Sequence, residues 1–159
     1  MNFMKKIIFV ILILTFTNYY EVNNFKEINC EENKIIIKSI NLKQNFKSYV
    51  NSNVNEGIIF LKESDFANDF YILAAHSGTS KIAYFKNLYK LNNDDKIYVY
   101  YNGYKYEYSI SKIYDTSKDG HIEVYRDNQK TTITLITCKK NTKDTQTVYI
   151  GYLTNKVAY

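Results

Sequence analysis

Two residues able to act as a nucleophile and a proton carrier each follow an apolar, strand-like run. Cys138 ends the run 131–138 (TTITLITC), in which β-branched residues predominate and no Gly or Pro occurs. Such a run favours a buried strand, because branched side chains pack well on a pleated surface. The polar loop 139–144 follows the thiol at once. A free Cys is usually a small buried hydrophobe, whereas a thiolate beside a His is a nucleophile, and Cys138 alone does not decide between the two.

His76 has the same place in a second run. It follows the apolar residues 70–75 (FYILAA) and precedes 77–80 (SGTS), which has the composition of a turn. A lone His at a strand end is usually structural. If His76 and Cys138 meet at one rim, the thiolate can attack a peptide carbonyl and the imidazole can protonate the leaving amine, giving a thioester that water or an amine resolves. The pattern then predicts hydrolysis or transpeptidation.

The composition indicates one mainly β domain. Of the 159 residues, 45% are hydrophobic and 23% charged, and 17 Tyr, 9 Phe and the absence of Pro and Trp favour strands. The formal charge of +5 comes without a dense basic run or a zinc-knuckle pattern, so we expect no nucleic-acid partner. Two distant Cys cannot by themselves form a disulfide framework or a metal site, and we expect no metal and no cofactor.

The N-terminus has the pattern of an export signal. Lys5 and Lys6 precede the apolar run 7–16, which is short for a spanning helix of roughly 20 residues, yet no small-x-small cleavage site follows it. We therefore predict an uncleaved anchor over 1–20, with a single membrane pass and the remaining chain outside the cell. The alternative is a cleaved signal peptide and a secreted protein. The Asn- and Glu-rich segment 21–33, which holds an incidental Cys30, is predicted to be a linker to a folded domain over 34–159.

Strand and turn signals alternate along that domain. An Asn102-Gly103 pair between two Tyr-rich runs predicts a type I′ hairpin. Residues 43–56 are predicted to be a loop or one helical turn, and apolar residues at helical spacing predict a short amphipathic helix over 81–90. The predicted strands lie at 34–42, 57–61, 70–76, 97–101, 104–110, 113–114, 121–126, 131–138 and 147–153. About eight short strands with one or two short helices predict a closed or nearly closed β-barrel.

Two motifs and their order resemble a known family. Residues 134–138 (TLITC) resemble the TLxTC signature of the sortases, membrane-anchored cysteine transpeptidases of Gram-positive bacteria, and 74–78 (AAHSG) resembles their strand-end His motif. The resemblance implies an eight-stranded barrel, a thioester on Cys138 and acid–base catalysis by His76. It also implies that a surface protein with an LPxTG-like C-terminal sorting signal is cleaved and transferred to an amine of the cell wall or of a pilin. We expect a monomer.

One position departs from the family pattern. Sortases are expected to carry an Arg roughly where Gln146 stands, and we assign Gln146 and Thr137 as candidates for holding the oxyanion or the substrate. Loss of one such donor costs about 10²-fold to 10³-fold in rate. The single Arg of the chain, Arg126, lies at the far end of an earlier strand. Two functions therefore stay open: an active cysteine transpeptidase, and a catalytically weak sortase-like module that binds sorting signals.

Overall fold

The computed structural model describes residues 33–50 and 53–159. The predicted anchor at 1–20, nearly all of the linker and Cys30 lie outside the described residues. Within the described part of the chain, no helix is both long enough and apolar enough to pass through a membrane.

A closed barrel of eight strands forms in the described ranges. The strands are β1 (Lys34–Ile37), β2 (Leu42–Val50), β3 (Ile58–Phe60), β4 (Phe70–Ala74), β5 (Lys96–Tyr101), β6 (Tyr104–Ser117), β7 (Thr132–Cys138) and β8 (Thr145–Ala158). Their order around the barrel is β1-β2-β3-β4-β7-β8-β6-β5, and β5 pairs back with β1. The pairs β2–β3 and β4–β7 are parallel and the other neighbours are antiparallel. The prediction of a mainly β, closed eight-stranded barrel is confirmed.

The predicted hairpin joins β5 to β6. Asn102 and Gly103 have φ angles of 50° and 76°, the positive values that a type I′ turn requires. β6 then continues to Ser117 without a break, so the separate strand predicted at 113–114 belongs to it.

The polar residues after position 42 form a strand and not the predicted loop. β2 pairs antiparallel with β1 on one side and parallel with β3 on the other. Of its side chains over 42–47, only that of Phe46 is buried, and the charged neighbours Lys43 and Lys47 are exposed. Strand pairing on both sides therefore overrides a composition that is typical of a loop.

The predicted helix over 81–90 is wrong. The backbone makes successive bonds to the third preceding residue, from Ala83 to Ser80, from Lys86 to Ala83 and from Leu88 to Phe85. These bonds define consecutive turns, of which Leu88–Lys90 is a 3-10 helix. Other short 3-10 helices of the described chain are Lys38–Ile40, Val54–Glu56 and Phe66–Asn68.

Residues 121–126, predicted to be a strand, instead cover one face of the sheet. Ile122 and Val124 pack against a small apolar cluster separate from the main core. The buried members of this cluster, which come from β4, β7 and β8, are Phe70, Ile72, Ile136, Val148 and Ile150. Alternate residues of β7 face the main core instead, where Ile133 and Leu135 are fully buried. The strands that carry the predicted site are thus fixed from both faces.

Candidate active site

The parallel pairing of β4 with β7 brings the two sequence motifs together. Phe70 is paired with Thr132 and each following residue keeps the same offset, as far as Ala74 with Ile136. His76 and Cys138 have this same offset of 62 positions. Since paired strands lie about 4.8 Å apart, continuation of this register sets His76, two residues past the end of β4, beside Cys138, the last residue of β7.

Two side chains hold the strands together beyond the last ladder pair. Thr137 is buried, and its Oγ1 donates to the carbonyl oxygen of Ala75 at 2.9 Å. Ser77 Oγ donates to the carbonyl oxygen of Cys138 at 2.7 Å. The segment after β4 is therefore hydrogen-bonded to both Thr137 and Cys138, and these bonds fix the backbone from which the thiol projects.

A third residue fixes the imidazole. Nε2 of His76 lies 2.8 Å from Oδ1 of Asn55. Because a carbonyl oxygen only accepts, Nε2 carries the hydrogen and Nδ1 is the nitrogen left to exchange a proton with a thiol. Asn55 is in the 3-10 helix Val54–Glu56, where its backbone N–H donates to the side chain of Asn53. Sequence reasoning missed Asn55, because a partner 21 positions away carries no local signal.

A cavity of about 630 Å³ opens beside Cys138. It is lined by the segment that follows His76 and by the loop between β7 and β8, and its apolar lining residues include Phe85, Leu91, Ile113 and Tyr149. The other lining residues are Ser77, Gly78, Thr79, Lys86, Asn87, Tyr89, Asp115, Thr137, Cys138, Lys139, Lys140, Asn141, Thr142 and Thr147. A half-buried thiol on a cavity of this size can reach a bound peptide.

Asp115, an acidic residue that lines the cavity, forms an ion pair with one of the cavity's lysines. Asp115, on β6, accepts from Nζ of Lys139 at 2.6 Å and from Oγ1 of Thr147 at 2.8 Å. The hydrogen bond from Lys139 lowers the pKa of the Asp115 carboxyl below its usual value, although burial acts in the opposite direction. This network could not be predicted from the sequence, because its three residues come from different strands or loops.

The two oxyanion candidates already have partners. Gln146 is paired with Cys138 across β7 and β8, but its Nε2 donates to the carbonyl oxygen of Ser117 at 3.1 Å. Gln146 is not among the residues that line the cavity, whereas its neighbour Thr147 is. Thr137 lines the cavity with its hydroxyl directed to Ala75. A role for Gln146 or Thr137 with an oxyanion thus stays a prediction that requires an exchange of partner.

Arg126 lies at the other end of β4. Its guanidinium carbon is 4.0 Å from the ring centroid of Phe70, the first residue of the strand whose far end leads to His76. The guanidinium therefore stacks on the covered outer cluster, and it does not line the cavity.

Comparison with known proteins connects this arrangement with one family. The family model of the sortase domain matches residues 26–154. Sortase A of Bacillus anthracis is 35% identical over 115 residues, which cover 69% of this chain and 54% of that protein, so the chain spans about half the length of this relative.

Solved sortases share the fold. Sortase A of Listeria monocytogenes superposes with a TM-score of 0.68 at 23% identity, over 80% of this chain and 89% of the other. Sortase C of Clostridium perfringens, solved with the C-terminal cell wall sorting motif, gives a TM-score of 0.64 at 23% identity, over 77% of this chain and 69% of the other. Because the family model spans most of the sequence, including both motifs on the paired strands, the chain belongs to the sortase family.

Proposed function

We propose that the protein is a cysteine transpeptidase that joins surface proteins to an amine. The observation that supports the proposal is the register of β4 and β7, whose continuation brings the backbone of His76 next to that of Cys138, a residue that lines the cavity. A thiol and an imidazole in that relation form an activated nucleophile.

The reaction has two halves. The Cys138 thiolate attacks a peptide carbonyl, the C–N bond breaks, and His76 gives its proton to the leaving amine. A thioester then links the N-terminal fragment to the sulfur. A second amine attacks this thioester, the C–S bond breaks, and the proton released from the amine returns to His76 as the thiolate is restored. Asn55 accepts from Nε2 throughout, which leaves Nδ1 as the nitrogen that exchanges the proton.

The proposed donor is a surface protein with an LPxTG-like sorting signal, and the acceptor is an amine of the cell wall or of a pilin. Family membership supports this choice, as does the related sortase C solved with a sorting motif. The cavity beside Cys138 is large enough for a few peptide residues.

Single-turnover acylation tests the mechanism. The full chain is mixed with an LPxTG peptide, and intact-mass spectrometry follows the mass added by the thioester. We expect Cys138→Ala to abolish the adduct and His76→Ala to slow it by about 10²-fold or more. Cys30→Ser is the matched control for loss of a thiol and keeps the adduct. An unchanged adduct in Cys138→Ala would refute the mechanism.

A second function, a binding module with weak turnover, has one observation in its favour. Three side-chain donors that neighbour Cys138 in the sequence or across the sheet are engaged elsewhere: Lys139 pairs with Asp115, Thr137 bonds to Ala75 and Gln146 bonds to Ser117. Gln146→Ala and Thr137→Val separate the two functions. A fall in acylation of about 10²-fold to 10³-fold in either variant identifies an oxyanion donor. If wild-type acylation is undetectable while the sorting peptide still binds, the protein is a binding module.

We further propose that residues 1–20 anchor the protein in the cell membrane, that 21–33 form a tether, and that 34–159 act as a monomer on the extracellular side. The basic and apolar pattern of the N-terminus supports the anchor. Cell fractionation together with the mass of the mature protein tests it. An intact N-terminus in the membrane fraction agrees with the anchor, and a shortened protein in the medium would show cleavage and secretion.

A further inference from the structure

We propose that the outer face of the barrel formed by β1, β2, β5 and the first half of β6 rests on an anionic lipid surface. The partner is a bilayer whose headgroups carry negative phosphate groups. This contact is separate from the candidate active site and goes beyond the proposed reaction.

Alternation along the strands leaves lysines and tyrosines on this outer face. The residues of β1 and β5 that are buried in the main core are Ile35, Ile37, Ile97 and Val99. The residues between them therefore face outward. The outer residues considered below, which we name the basic face, are Ile36, Lys38, Lys43, Lys47, Tyr98, Tyr100 and Lys105.

The strand register joins these residues into one surface. Ile36 is paired with Lys43 of β2 on one side and with Tyr98 of β5 on the other. Tyr100 is paired in the same way with Lys105 of β6. Because directly paired residues have their side chains on the same side of a sheet, these rows are continuous across four strands.

The ammonium groups of two lysines lie over a tyrosine ring. Nζ of Lys38 is 5.5 Å and Nζ of Lys105 is 5.1 Å from the ring centroid of Tyr98. The ring of Tyr100 packs edge-on against that of Tyr159, with 5.5 Å between the centroids. A cation–π contact positions a lysine without neutralising its charge. Tyrosines suit the headgroup level of a bilayer, and the lysines beside them attract its phosphates.

Acidic residues are scarce on this part of the barrel. Residues 34–50 include four Lys and no Asp or Glu. Glu107, which is paired with Tyr98 across β5 and β6, forms an ion pair with Lys96 at 3.6 Å. The four lysines of the basic face make no ion pair within the part of the chain that the structure describes. Their charge is therefore available to an anionic partner.

The course of the chain favours a membrane as that partner. β1, in the middle of the basic face, begins at Lys34, directly after the proposed tether 21–33. A flexible chain of that length spans roughly 20 Å. The argument from proximity rests on the proposed anchor, because attraction to an anionic surface fades within about 10 Å and acts only on a face held close to it. Each lysine that reaches the surface strengthens the contact about fivefold.

The strands of the candidate site lie on the other side of the barrel. β7, which ends at Cys138, is four strands from β1 in either direction around the closed sheet. Contact through the basic face therefore leaves the outer side of β4 and β7 uncovered by lipid.

Tryptophan reporters test the contact, because the chain has no Trp of its own. Tyr100→Trp reports on the basic face. Tyr125→Trp is the matched control, since Tyr125 is 54% exposed and belongs to the segment that covers β4, β7 and β8. The full chain is mixed with vesicles of phosphatidylcholine, with or without an equal amount of phosphatidylglycerol, and all vesicles contain a lipid with a nitroxide quencher on its headgroup.

We expect the anionic vesicles to quench Tyr100→Trp about threefold more than the neutral ones, and high salt to remove the difference. The Tyr125→Trp reporter should respond equally to both. Equal quenching of Tyr100→Trp by the two kinds of vesicle would overturn the proposal. An equal gain for the two reporters would indicate adsorption without a preferred face and would overturn it too.

Charge variants in the Tyr100→Trp protein assign the effect to particular lysines. The triple variant of the basic face combines Lys38→Gln, Lys43→Gln and Lys105→Gln. The control triple variant removes the same charge from exposed lysines elsewhere and combines Lys62→Gln, Lys118→Gln and Lys130→Gln. The first should abolish the difference between the vesicles, whereas the control and Arg at the first three positions should keep it. A difference that survives the first variant, or that falls equally in the control, would refute the assignment.

The outcome is independent of the proposed anchor and of catalysis. If residues 1–20 insert, both kinds of vesicle hold the protein and lipid charge alters only the contact of the barrel. If they do not, only the anionic vesicles bind it, and the Tyr100→Trp reporter still distinguishes the two. An anionic wall polymer is the competing partner: quenching that ignores lipid charge, together with binding of soluble poly(glycerol phosphate), would assign the basic face to such a polymer and refute the membrane contact.

Discussion

Replacement of Asn55 isolates the contribution of imidazole orientation to catalysis. Asn55→Ala removes the acceptor that lies 2.8 Å from Nε2 of His76, and Asn55→Asp keeps an acceptor oxygen and adds a negative charge. Asn55 itself is exposed and belongs to a 3-10 helix of only three residues, so neither change should disturb the core. The pair therefore tests orientation and charge separately.

The size of the effect follows from the kind of bond. The imidazole that gives its proton in acylation is charged, and a hydrogen bond to a charged group contributes about 1.5–3 kcal/mol net. If this bond orients the imidazole in the transition state, its loss lowers kcat about 10-fold to 10²-fold. In Asn55→Asp the carboxylate stabilises the imidazolium, so the alkaline limb of the pH–rate profile should move to higher pH.

Single-turnover acylation over a range of pH is the appropriate assay, because it excludes the transfer step. The Asn55→Ala variant should show a lower plateau, and Asn55→Asp should retain most of the rate with a displaced profile. Circular dichroism and thermal unfolding check that the barrel is intact. Lys62→Gln is the control, since Lys62 is 83% exposed and does not line the cavity.

Two results would refute this reasoning. An acylation rate for Asn55→Ala equal to that of the wild type would show that the imidazole needs no external acceptor. A fall of more than about 10³-fold would exceed what one hydrogen bond to a charged group supplies and would mean that Asn55 contacts the substrate itself.

Three further predictions concern the stability of the barrel and the loop that follows His76. Gly151→Ala should lower stability by about 1–3 kcal/mol in urea unfolding, because its Cβ would lie 3.1 Å from Cγ2 of Ile133, and an unchanged midpoint would contradict the packing argument. Burial raises the pKa of Tyr149 to about 12, so the folded state keeps a proton that the unfolded chain loses above pH ~10. The free energy of unfolding should thus fall as pH rises towards 12. Tyr149→Phe should reduce this fall by about 1 kcal/mol between pH 8 and pH 11, and an equal fall in the wild type and the variant would show that Tyr149 does not cause it. Ser77→Ala removes the 2.7 Å bond to the Cys138 carbonyl and should lower acylation about 2-fold to 10-fold, whereas an unchanged rate would show that the bond only supports the loop.

The strands that carry the site were predictable because local and tertiary preferences agree there. β-branched residues fill β7, where every residue from Thr132 to Thr137 is buried, and the Asn102-Gly103 pair permits few structures other than a tight hairpin turn. The motif residues His76 and Cys138 followed from their positions after apolar runs. In these places a single sequence contains most of the information that the fold uses.

The wrong secondary-structure predictions lie in segments whose backbone conformation depends on tertiary contacts. β2 has the composition of a loop and is a strand only because β1 and β3 pair with it on both sides. The spacing of Phe85, Leu88 and Leu91 repeats every three residues, which suits a series of 3-10 turns as well as one side of an α-helix. Periodicity over such a short segment cannot separate these two backbones.

The partners of the site residues were not predictable for a related reason. Asn55 bonds a residue 21 positions away, and Asp115 bonds Lys139 and Thr147 from 24 and 32 positions away. None of these contacts leaves a pattern in the neighbouring sequence, since each depends on how strands are ordered around the barrel. From their residue types alone, Asn55, Asp115 and Lys139 would be expected to face solvent.

The parallel register of β4 and β7 also determines when the site comes into existence. His76 and Cys138 are separated by more than sixty residues, which include β5 and β6, so the pairing of β4 with β7 closes a long loop and belongs to the slow, non-local part of folding. A chain that has formed the β5–β6 hairpin but not this pairing holds a thiol with no imidazole beside it. Assembly of the candidate site is therefore a property of the closed barrel alone, and the proposed chemistry could not begin in a chain whose sheet is incomplete.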